Sequence, residues 1–312
     1  MGLDLNGTRF LLVAKRLGAD FSSTAMIGRQ GLHLKPAELR ANLEAFDAPA
    51  EATAIDRMLA DGGYAEEFLR HLGARDVDSF DKSDYEGSTH TLDLNEPLSP
   101  DLRARYSVVL DGGSLEHVFN FPVALANCME MVALGGHYIG ITPANNFMGH
   151  GFYQFSPELF LTVFRRVHGY ELVRLFAFED RPRAPWYEVQ RPPVATKRIM
   201  SLHSKPVYLL VLAQRVELST PFRITPQQSD YVAVWEGRSD GAEEAAAREV
   251  LPRSLKRRVL ETIPVPIREL AKTVLGHRRR RRRFNPLFFK KTTLAQLRGA
   301  EGRESLGSSG PG

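Results

Sequence analysis

Residues 106–143 constrain the fold of this chain most, because they read as strand, turn, helix and strand in close succession. Ser107–Leu110 is a short apolar run of the kind that forms a buried strand. Asp111, Gly112 and Gly113 follow, where the backbone can bend sharply and approach a ligand. A second strand is predicted at His137–Thr142. A unit of this size favours a parallel strand pair joined by a right-handed crossover helix.

The crossover helix is predicted between these two strands. Apolar side chains recur at helical spacing from Leu125 to Val132. Asn120 is predicted to cap the helix, and Gly135 to end it. Ligands of parallel sheets bind at the carboxyl ends of the strands, so Glu116 and His117 are expected to lie beside a ligand.

The same alternation of strands and helices continues along the chain. Other strands are predicted at Thr24–Ile27, Val77–Phe80, Thr89–Leu92, Tyr170–Phe178 and Val207–Ala213. Helices are predicted at Arg9–Leu17, Lys35–Phe46, Ile55–Leu59, Tyr64–Leu72, from Ser156 onward, and at Ala242–Arg248, Leu255–Thr262 and Ile267–Leu275. Asp180–Arg198 is predicted to be a long loop. The prediction is a doubly wound, mostly parallel Rossmann-like α/β sheet with helices on both faces, one antiparallel edge strand at most, and a helical basic C-terminal extension.

Four segments are predicted from these patterns and from composition. They are a lead-in helix (1–23), the α/β domain (24–215), a helical extension (216–277), and a basic and aromatic tail with a disordered end (278–312). One cysteine excludes a disulfide framework and a cysteine-rich metal site, which fits a reducing, cytoplasmic location.

Three predicted strands end in turns that carry an acid, at Asp81, Asp93 and Asp111. Carboxylates at neighbouring strand ends line one crevice. One such acid can accept hydrogen bonds from both hydroxyls of a ribose, and another can read the amino edge of an adenine. The alternative is that these aspartates only cap turns. We favour a nucleoside site.

Four motifs in order resemble the class I S-adenosylmethionine-dependent methyltransferases, in particular the small-molecule type. They are Ser79–Ser83, Thr91–Pro97, Tyr106–Val118 with its Leu-Glu-His-Val turn, and Leu134–Pro143. The resemblance implies S-adenosyl-L-methionine as cofactor and methyl transfer to a small molecule or to a sugar in glycan assembly. The cofactor-binding residues that it implies are Gly28, Arg29, Gly31, Asp81, Lys82, Asp93, Leu94, Asp111, Gly112 and Gly113.

The first glycine motif of that family differs in this chain. Ala25–Gly31 has neither the usual acid nor the usual glycine spacing. Arg29 and Gln30 are expected to reach the carboxylate of the cofactor instead. A catalytically silent Rossmann-like module, which binds a partner or scaffolds an assembly, is the open alternative. A nicotinamide oxidoreductase is disfavoured because its glycine fingerprint is absent.

Candidate catalytic groups follow the fourth strand and occupy the next loop. His117 is the first candidate for a general base, and His150 is the second. Glu116 is a candidate to orient His117. Each has an alternative role. His117 would be a histidine bonded to backbone, the loop of His150 an ordinary aromatic loop, and Glu116 a solvated acid. No metal site is predicted, because His117, His137 and His150 are spread over separate elements.

The basic character of the chain is concentrated near its end. The formal net charge is +4, and Arg278–Arg283 alone supplies six positive charges. With the aromatic residues up to Lys291, this segment suits an anionic membrane surface, which would make the protein peripheral at the inner face of a membrane. A solvated arginine run is the alternative, and no specific nucleic acid is expected as a partner.

Overall fold

The computed structural model describes residues 2–60, 63–191, 199, 203–236, 284–286 and 288–299. The three helices predicted between residues 242 and 275 lie outside the described residues, and so does Arg278–Arg283.

Strands and helices alternate along most of the described chain. The strands are β1 (Gly2–Leu3), β2 (Ser23–Ile27), β3 (Gly31–Leu32), β4 (Asp76–Asp81), β5 (His90–Thr91), β6 (Tyr106–Asp111), β7 (Val132–Asn145), β8 (Tyr170–Glu179), β9 (Trp186–Val189), β10 (Val207–Arg215) and β11 (Phe289–Thr292). The helices are α1 (Leu5–Arg16), α2 (Pro36–Ala45), α3 (Ala52–Leu59), α4 (Glu66–His71), α5 (Phe121–Met131), α6 (Pro157–Val163), α7 (Ser229–Trp235) and α8 (Leu294–Gly299).

A nine-stranded sheet organises the described chain, in the order β11-β9-β8-β10-β7-β6-β2-β4-β5. Strands β7, β6, β2, β4 and β5 pair in parallel. Strand β10 pairs antiparallel with β7 and β8, and β9 pairs antiparallel with β8 and β11. The predicted doubly wound α/β fold is confirmed. The antiparallel part is larger than the single edge strand expected, because β9 and β11 extend it.

The direction of winding reverses between β2 and β6. From β2 the chain moves outward to β4 and β5, and then returns to the other side of β2 with β6 and β7. The carboxyl edge at this reversal, below called the crevice, is the usual ligand position in such sheets. The loops after β2 and β6 meet there, since the Ser114 hydroxyl donates to the Ile27 carbonyl.

The predicted β6–α5–β7 unit is confirmed, with β6 and β7 parallel. The helix ends at Met131, before the predicted Gly135. Arg215 explains the early end, because its guanidinium donates to the carbonyls of Glu130 (2.9 Å) and Val132 (2.6 Å) and so satisfies the last turn. Gly135, at φ +80°, lies within β7 instead.

Helices cover both faces of the sheet, as predicted. Helices α1 to α4 bury apolar side chains in one core, and α5 and α6 in the other. Helix α1 starts at Leu5, earlier than the predicted Arg9, since the carboxylate of Asp4 caps it by accepting from the Asn6 and Gly7 amides at 2.9 and 2.8 Å.

Two strands lie where the sequence predicted a loop and a tail. Strand β9 lies inside the predicted loop at residues 180–198, and β11 lies inside the predicted basic tail. The two pair antiparallel, with Phe289 opposite Val189. Phe288 and Phe289 are buried, and the Phe284 ring stacks on Tyr187 at 3.9 Å. Phe288 and Phe289 therefore complete the sheet, and a membrane contact through the segment Arg278–Lys291 stays a prediction.

Within the described part of the chain, no helix combines the length and the apolar character needed to cross a bilayer.

Candidate functional site

The loops after β2 and β4 meet at the carboxyl edge of the parallel strands. Gly28 bends the chain at φ +70°, a conformation that favours glycine, and its amide donates to the Phe80 carbonyl at 2.7 Å. Asp81 ends the neighbouring strand β4 and is half-buried. Gly28 and Asp81 are therefore adjacent at the carboxyl edge, and their contact with a cofactor stays a prediction.

Lys82 and Asp93 join the loops that follow β4 and β5. The Lys82 ammonium forms an ion pair with the Asp93 carboxylate. The other oxygen of Asp93 accepts from the backbone and side-chain N–H groups of Asn95 at 3.0 and 2.8 Å. Hydrogen bonds from Lys82 and then from Asn95 lower the pKa of Asp93 to about 2. Asp93 is thus a carboxylate at neutral pH, partly exposed at the crevice rim.

Asp111 faces the interior and not the crevice. Its carboxylate is buried and accepts from the Ser114 amide (2.8 Å), the Leu115 amide (3.3 Å) and the Tyr138 hydroxyl (3.2 Å). Burial raises its pKa above the ordinary value for an aspartate. These contacts support the turn-capping alternative for Asp111, because its oxygens already hold the loop after β6.

Gln30 fills the space between the Gly28 bend and the turn after β6. Its side-chain amide donates to the Ile27 carbonyl at 2.7 Å, and its buried carbonyl oxygen has no hydrogen-bond partner. A Cβ on Gly112 would come within 2.2 Å of that oxygen. The expectation that Gln30 reaches a ligand carboxylate is therefore not supported, since its side chain turns inward at the switch point.

Arg29 is also engaged by the protein. Its Nε lies 2.7 Å from a Glu66 oxygen, its Nη1 donates to the Glu86 carbonyl at 2.9 Å, and its guanidinium lies over the Tyr64 ring. Glu66 neutralises the charge that was expected to meet a ligand carboxylate. Arg29 instead links the loop after β2 to the segment after β4.

Two other predicted contact residues lie away from the open crevice. Gly31 belongs to β3 and pairs with Gly2 in a small two-stranded sheet, so it is not part of a ligand-facing glycine turn. The Leu94 side chain packs into the core beneath α5. Gly113, at φ +99°, does lie in the turn after β6, where a Cβ would be 3.3 Å from a Glu116 oxygen.

The three candidate catalytic residues lie together. Glu116 and His117 belong to a single 3-10 turn after β6, and the loop after β7 brings His150 against them. The imidazole Nε2 of His150 lies 3.3 Å from Glu116 Oε1, and the two imidazole rings are 5.0 Å apart. His137 is separate, buried within β7, and burial lowers its pKa to about 4. No metal site was predicted because the three histidines were expected to lie apart. That expectation holds for His137 only.

Glu116 is the most unusual member of this group. Its side chain is 0% exposed, and neither carboxylate oxygen has a hydrogen-bond partner. Burial, followed by the nearby charge of Asp111, raises the pKa of Glu116. Burial, and then the nearby His150, lowers the pKa of His117, which favours a neutral imidazole. The burial of Glu116 could not be predicted from the sequence, because an acid in a polar turn normally faces water.

The loop after β7 is fixed to the 3-10 turn by its backbone. The amides of Phe152 and Tyr153 both donate to the Glu116 carbonyl, at 2.9 and 3.2 Å. The Tyr153 hydroxyl donates to the Phe119 carbonyl at 2.7 Å. Phe119 and Phe152 form an edge-to-face pair, yet 73% and 67% of them are exposed. This pair forms an apolar rim beside the cluster. The sequence did not indicate that Phe119 belongs to it.

Gly151→Ala is expected to loosen this loop, because a Cβ there would lie 2.8 Å from the Glu116 carbonyl oxygen. The amide hydrogens of Phe152 and Tyr153 should then exchange with solvent at least about tenfold faster, as measured by hydrogen–deuterium exchange. Gly149→Ala is the matched control, since nothing lies within 4 Å of a Cβ at that position. Equal exchange rates in both variants would contradict the packing of the loop on Glu116.

Comparison with known proteins finds no matching family model and no matching curated protein. Solved structures do match. The 1,6-didemethyltoxoflavin N1-methyltransferase of Burkholderia thailandensis is 14% identical, with a TM-score of 0.33 over 68% of this chain and 78% of that one. The N-methyltransferase NodS of Bradyrhizobium japonicum WM9 is 10% identical, with a TM-score of 0.34 over 68% and 97%. The cyclase SpnF is 14% identical, with a TM-score of 0.35 over 67% and 80%.

These likenesses are too distant to carry an argument about function. The strand order defines the class of protein, which is a doubly wound α/β protein whose usual ligand position is the carboxyl edge at the switch point.

Proposed function

We propose that this chain transfers a methyl group from S-adenosylmethionine to a small molecule. The observation that supports the proposal is the arrangement of the carboxyl edge. The Gly28 bend and two partly exposed carboxylates, Asp81 and Asp93, lie on the loops of adjacent parallel strands, and the Glu116, His117 and His150 cluster follows the next strand. This arrangement combines a place for a nucleoside with groups that can activate an acceptor.

The cofactor, when bound, supplies an activated methyl group, and the overall change converts an acceptor X–H into X–CH₃ with S-adenosylhomocysteine and a proton as the other products. Asp81 would accept hydrogen bonds from the ribose hydroxyls, and the loop of Asp93 would lie beside the base. The methionine end would have to lie outside the space that Gln30 fills. Alignment of donor and acceptor would supply most of the rate enhancement.

The cluster of Glu116, His117 and His150 would activate the acceptor. A hydroxyl or amine must lose its proton when it is methylated, and a positioned histidine typically contributes about 10²–10⁴-fold to such a step. The apolar rim of Phe119 and Phe152 would reduce the access of water to the cluster. A sugar or glycan intermediate as acceptor, a cytoplasmic location and a membrane contact through Arg278–Lys291 stay predictions from the sequence.

A silent binding module is the second candidate, and one observation favours it. Gln30 occupies the switch point and Arg29 is paired with Glu66, so the loop after β2 offers fewer groups to a ligand than a working cofactor site would need. Isothermal titration calorimetry with S-adenosylmethionine distinguishes the two candidates.

Asp81→Ala is expected to weaken S-adenosylmethionine binding roughly 10- to 150-fold, since hydrogen bonds to a charged group contribute about 1.5–3 kcal/mol. Asp84→Ala, in the exposed turn that follows, is the matched control and should bind like the natural chain. Calorimetry measures all three affinities. No binding by the natural chain at millimolar cofactor, or equal affinity in the Asp81→Ala variant, would favour the silent module.

A further inference from the structure

A buried carboxylate that accepts no hydrogen bond faces two imidazoles at the carboxyl edge of the sheet. Within the described residues, Glu116, His117 and His150 each offer one ligand atom, and these atoms all lie within 4.8 Å of one another. The two oxygens of Glu116 are fully buried and make no hydrogen bond. A buried carboxylate normally costs several kcal/mol of folding free energy unless a counter-charge or donors satisfy it. We infer that these three residues form a binding site for a divalent transition-metal ion of the zinc type.

The distances fit such an ion. Zinc is bound at about 2.0–2.2 Å by imidazole nitrogen and carboxylate oxygen, so two ligands at a tetrahedral angle are about 3.4 Å apart. The separation of His150 Nε2 and Glu116 Oε1 is 3.3 Å. Both histidines are exposed, so a ring can rotate to close the remaining distance without disturbing the core.

The backbone holds two of the three ligands in place before any ion binds. The His117 amide donates to the Ser114 carbonyl at 3.0 Å, which closes the 3-10 turn. The Phe152 amide donates to the Glu116 carbonyl at 2.9 Å, which keeps the loop of His150 against that turn. Such preorganisation reduces the entropy lost when the ion binds.

The ligand types select the class of metal. Two neutral imidazoles and one carboxylate suit zinc, iron and related transition metals, whereas magnesium and calcium prefer oxygen ligands. Three protein ligands are typical of sites that leave a coordination position open for water or a substrate oxygen.

The open position suggests the acceptor, and this step rests on the proposed methyl transfer. A hydroxyl bound to the ion would have a lowered pKa, as water does on zinc, and would lose its proton to solvent. The oxygen lone pair would then form the new bond to the methyl carbon while the sulfonium sulfur takes the electrons of the broken bond. An acceptor whose hydroxyl oxygen receives the methyl group is therefore expected.

The binding test needs no methyl donor, so the metal site and the methyl transfer can fail separately. The full chain, free of any affinity tag, is treated with EDTA, exchanged into clean buffer and titrated with Zn²⁺ by calorimetry. We expect one ion per chain with a dissociation constant below about 10 µM, and much weaker binding of Mg²⁺. No heat with Zn²⁺ up to millimolar concentration would overturn the inference.

Two variants and a matched control locate the site. Glu116→Gln keeps the shape of the side chain but removes the charge, and His150→Ala removes an exposed ring that the core does not need. Each should lower the Zn²⁺ affinity more than about 100-fold, since loss of supporting groups alone costs 10- to 100-fold. His71→Ala removes an imidazole outside the cluster and should leave the affinity unchanged. Zn²⁺ binding that survives in Glu116→Gln or His150→Ala would place the ion elsewhere and overturn the inference.

Discussion

Phe289→Ala is expected to lower the free energy of unfolding by about 3–5 kcal/mol, the usual cost of deleting a buried phenylalanine ring. Phe289 is 4% exposed, lies opposite Val189 in the sheet, and contacts the Phe284 ring at 5.1 Å. Loss of the ring would leave a cavity between β9 and β11. Urea denaturation followed by circular dichroism measures the change.

Lys290→Ala is the matched control for this experiment, because Lys290 is the next residue of β11 and its side chain is exposed. It should change the free energy of unfolding by less than about 0.5 kcal/mol. If Phe289→Ala and Lys290→Ala unfolded at the same urea concentration, Phe289 would not be packed in solution.

Asp111→Ala is expected to cost about 3 kcal/mol or more of folding free energy. The Ser114 amide, the Leu115 amide and the Tyr138 hydroxyl would each lose a buried acceptor, and an unsatisfied buried donor costs about 1–3 kcal/mol. Part of that cost is offset, because burial already raises the pKa of Asp111 and so disfavours its charge. Urea denaturation again gives the value.

Asp81→Ala provides the comparison within the same edge of the sheet. Asp81 is half-buried, and its carboxylate accepts one long hydrogen bond, from the Ser83 amide at 3.3 Å. Its loss should change the folding free energy by less than about 1 kcal/mol, while it weakens cofactor binding. A stable Asp111→Ala variant that has lost cofactor affinity would instead assign Asp111 to the ligand.

Local sequence patterns predicted the five parallel strands of the large sheet and also β8 and β10. Strand β6, helix α5 and strand β7 were predicted from hydrophobic spacing because each is long enough to show its period. Strands β9 and β11 were missed for the opposite reason. Strand β9 has four residues in a segment rich in proline and arginine, and its partner lies far along the chain. No local pattern reports such a pairing.

The candidate site was predicted in part. The motif order placed Gly28, Asp81 and Asp93 at one edge, because the carboxyl ends of parallel strands coincide. It did not show that Gln30 folds inward or that His150 meets Glu116, since both depend on how loops pack. Gly151 was the one local sign that His150 meets Glu116, because only a residue without a side chain lets the loop approach the Glu116 carbonyl.

The pairing of β9 with β11 has a consequence during synthesis. Val189 and Phe289 are partners, yet about one hundred residues separate them along the chain. At about 5–20 residues per second, a ribosome would add the second strand on the order of 5 to 20 seconds after the first. During that interval one edge of β9 would present unpaired N–H and C=O groups, and Val189 would lack its partner Phe289. Nascent chains that stall between the two strands should therefore be preferred clients of chaperones.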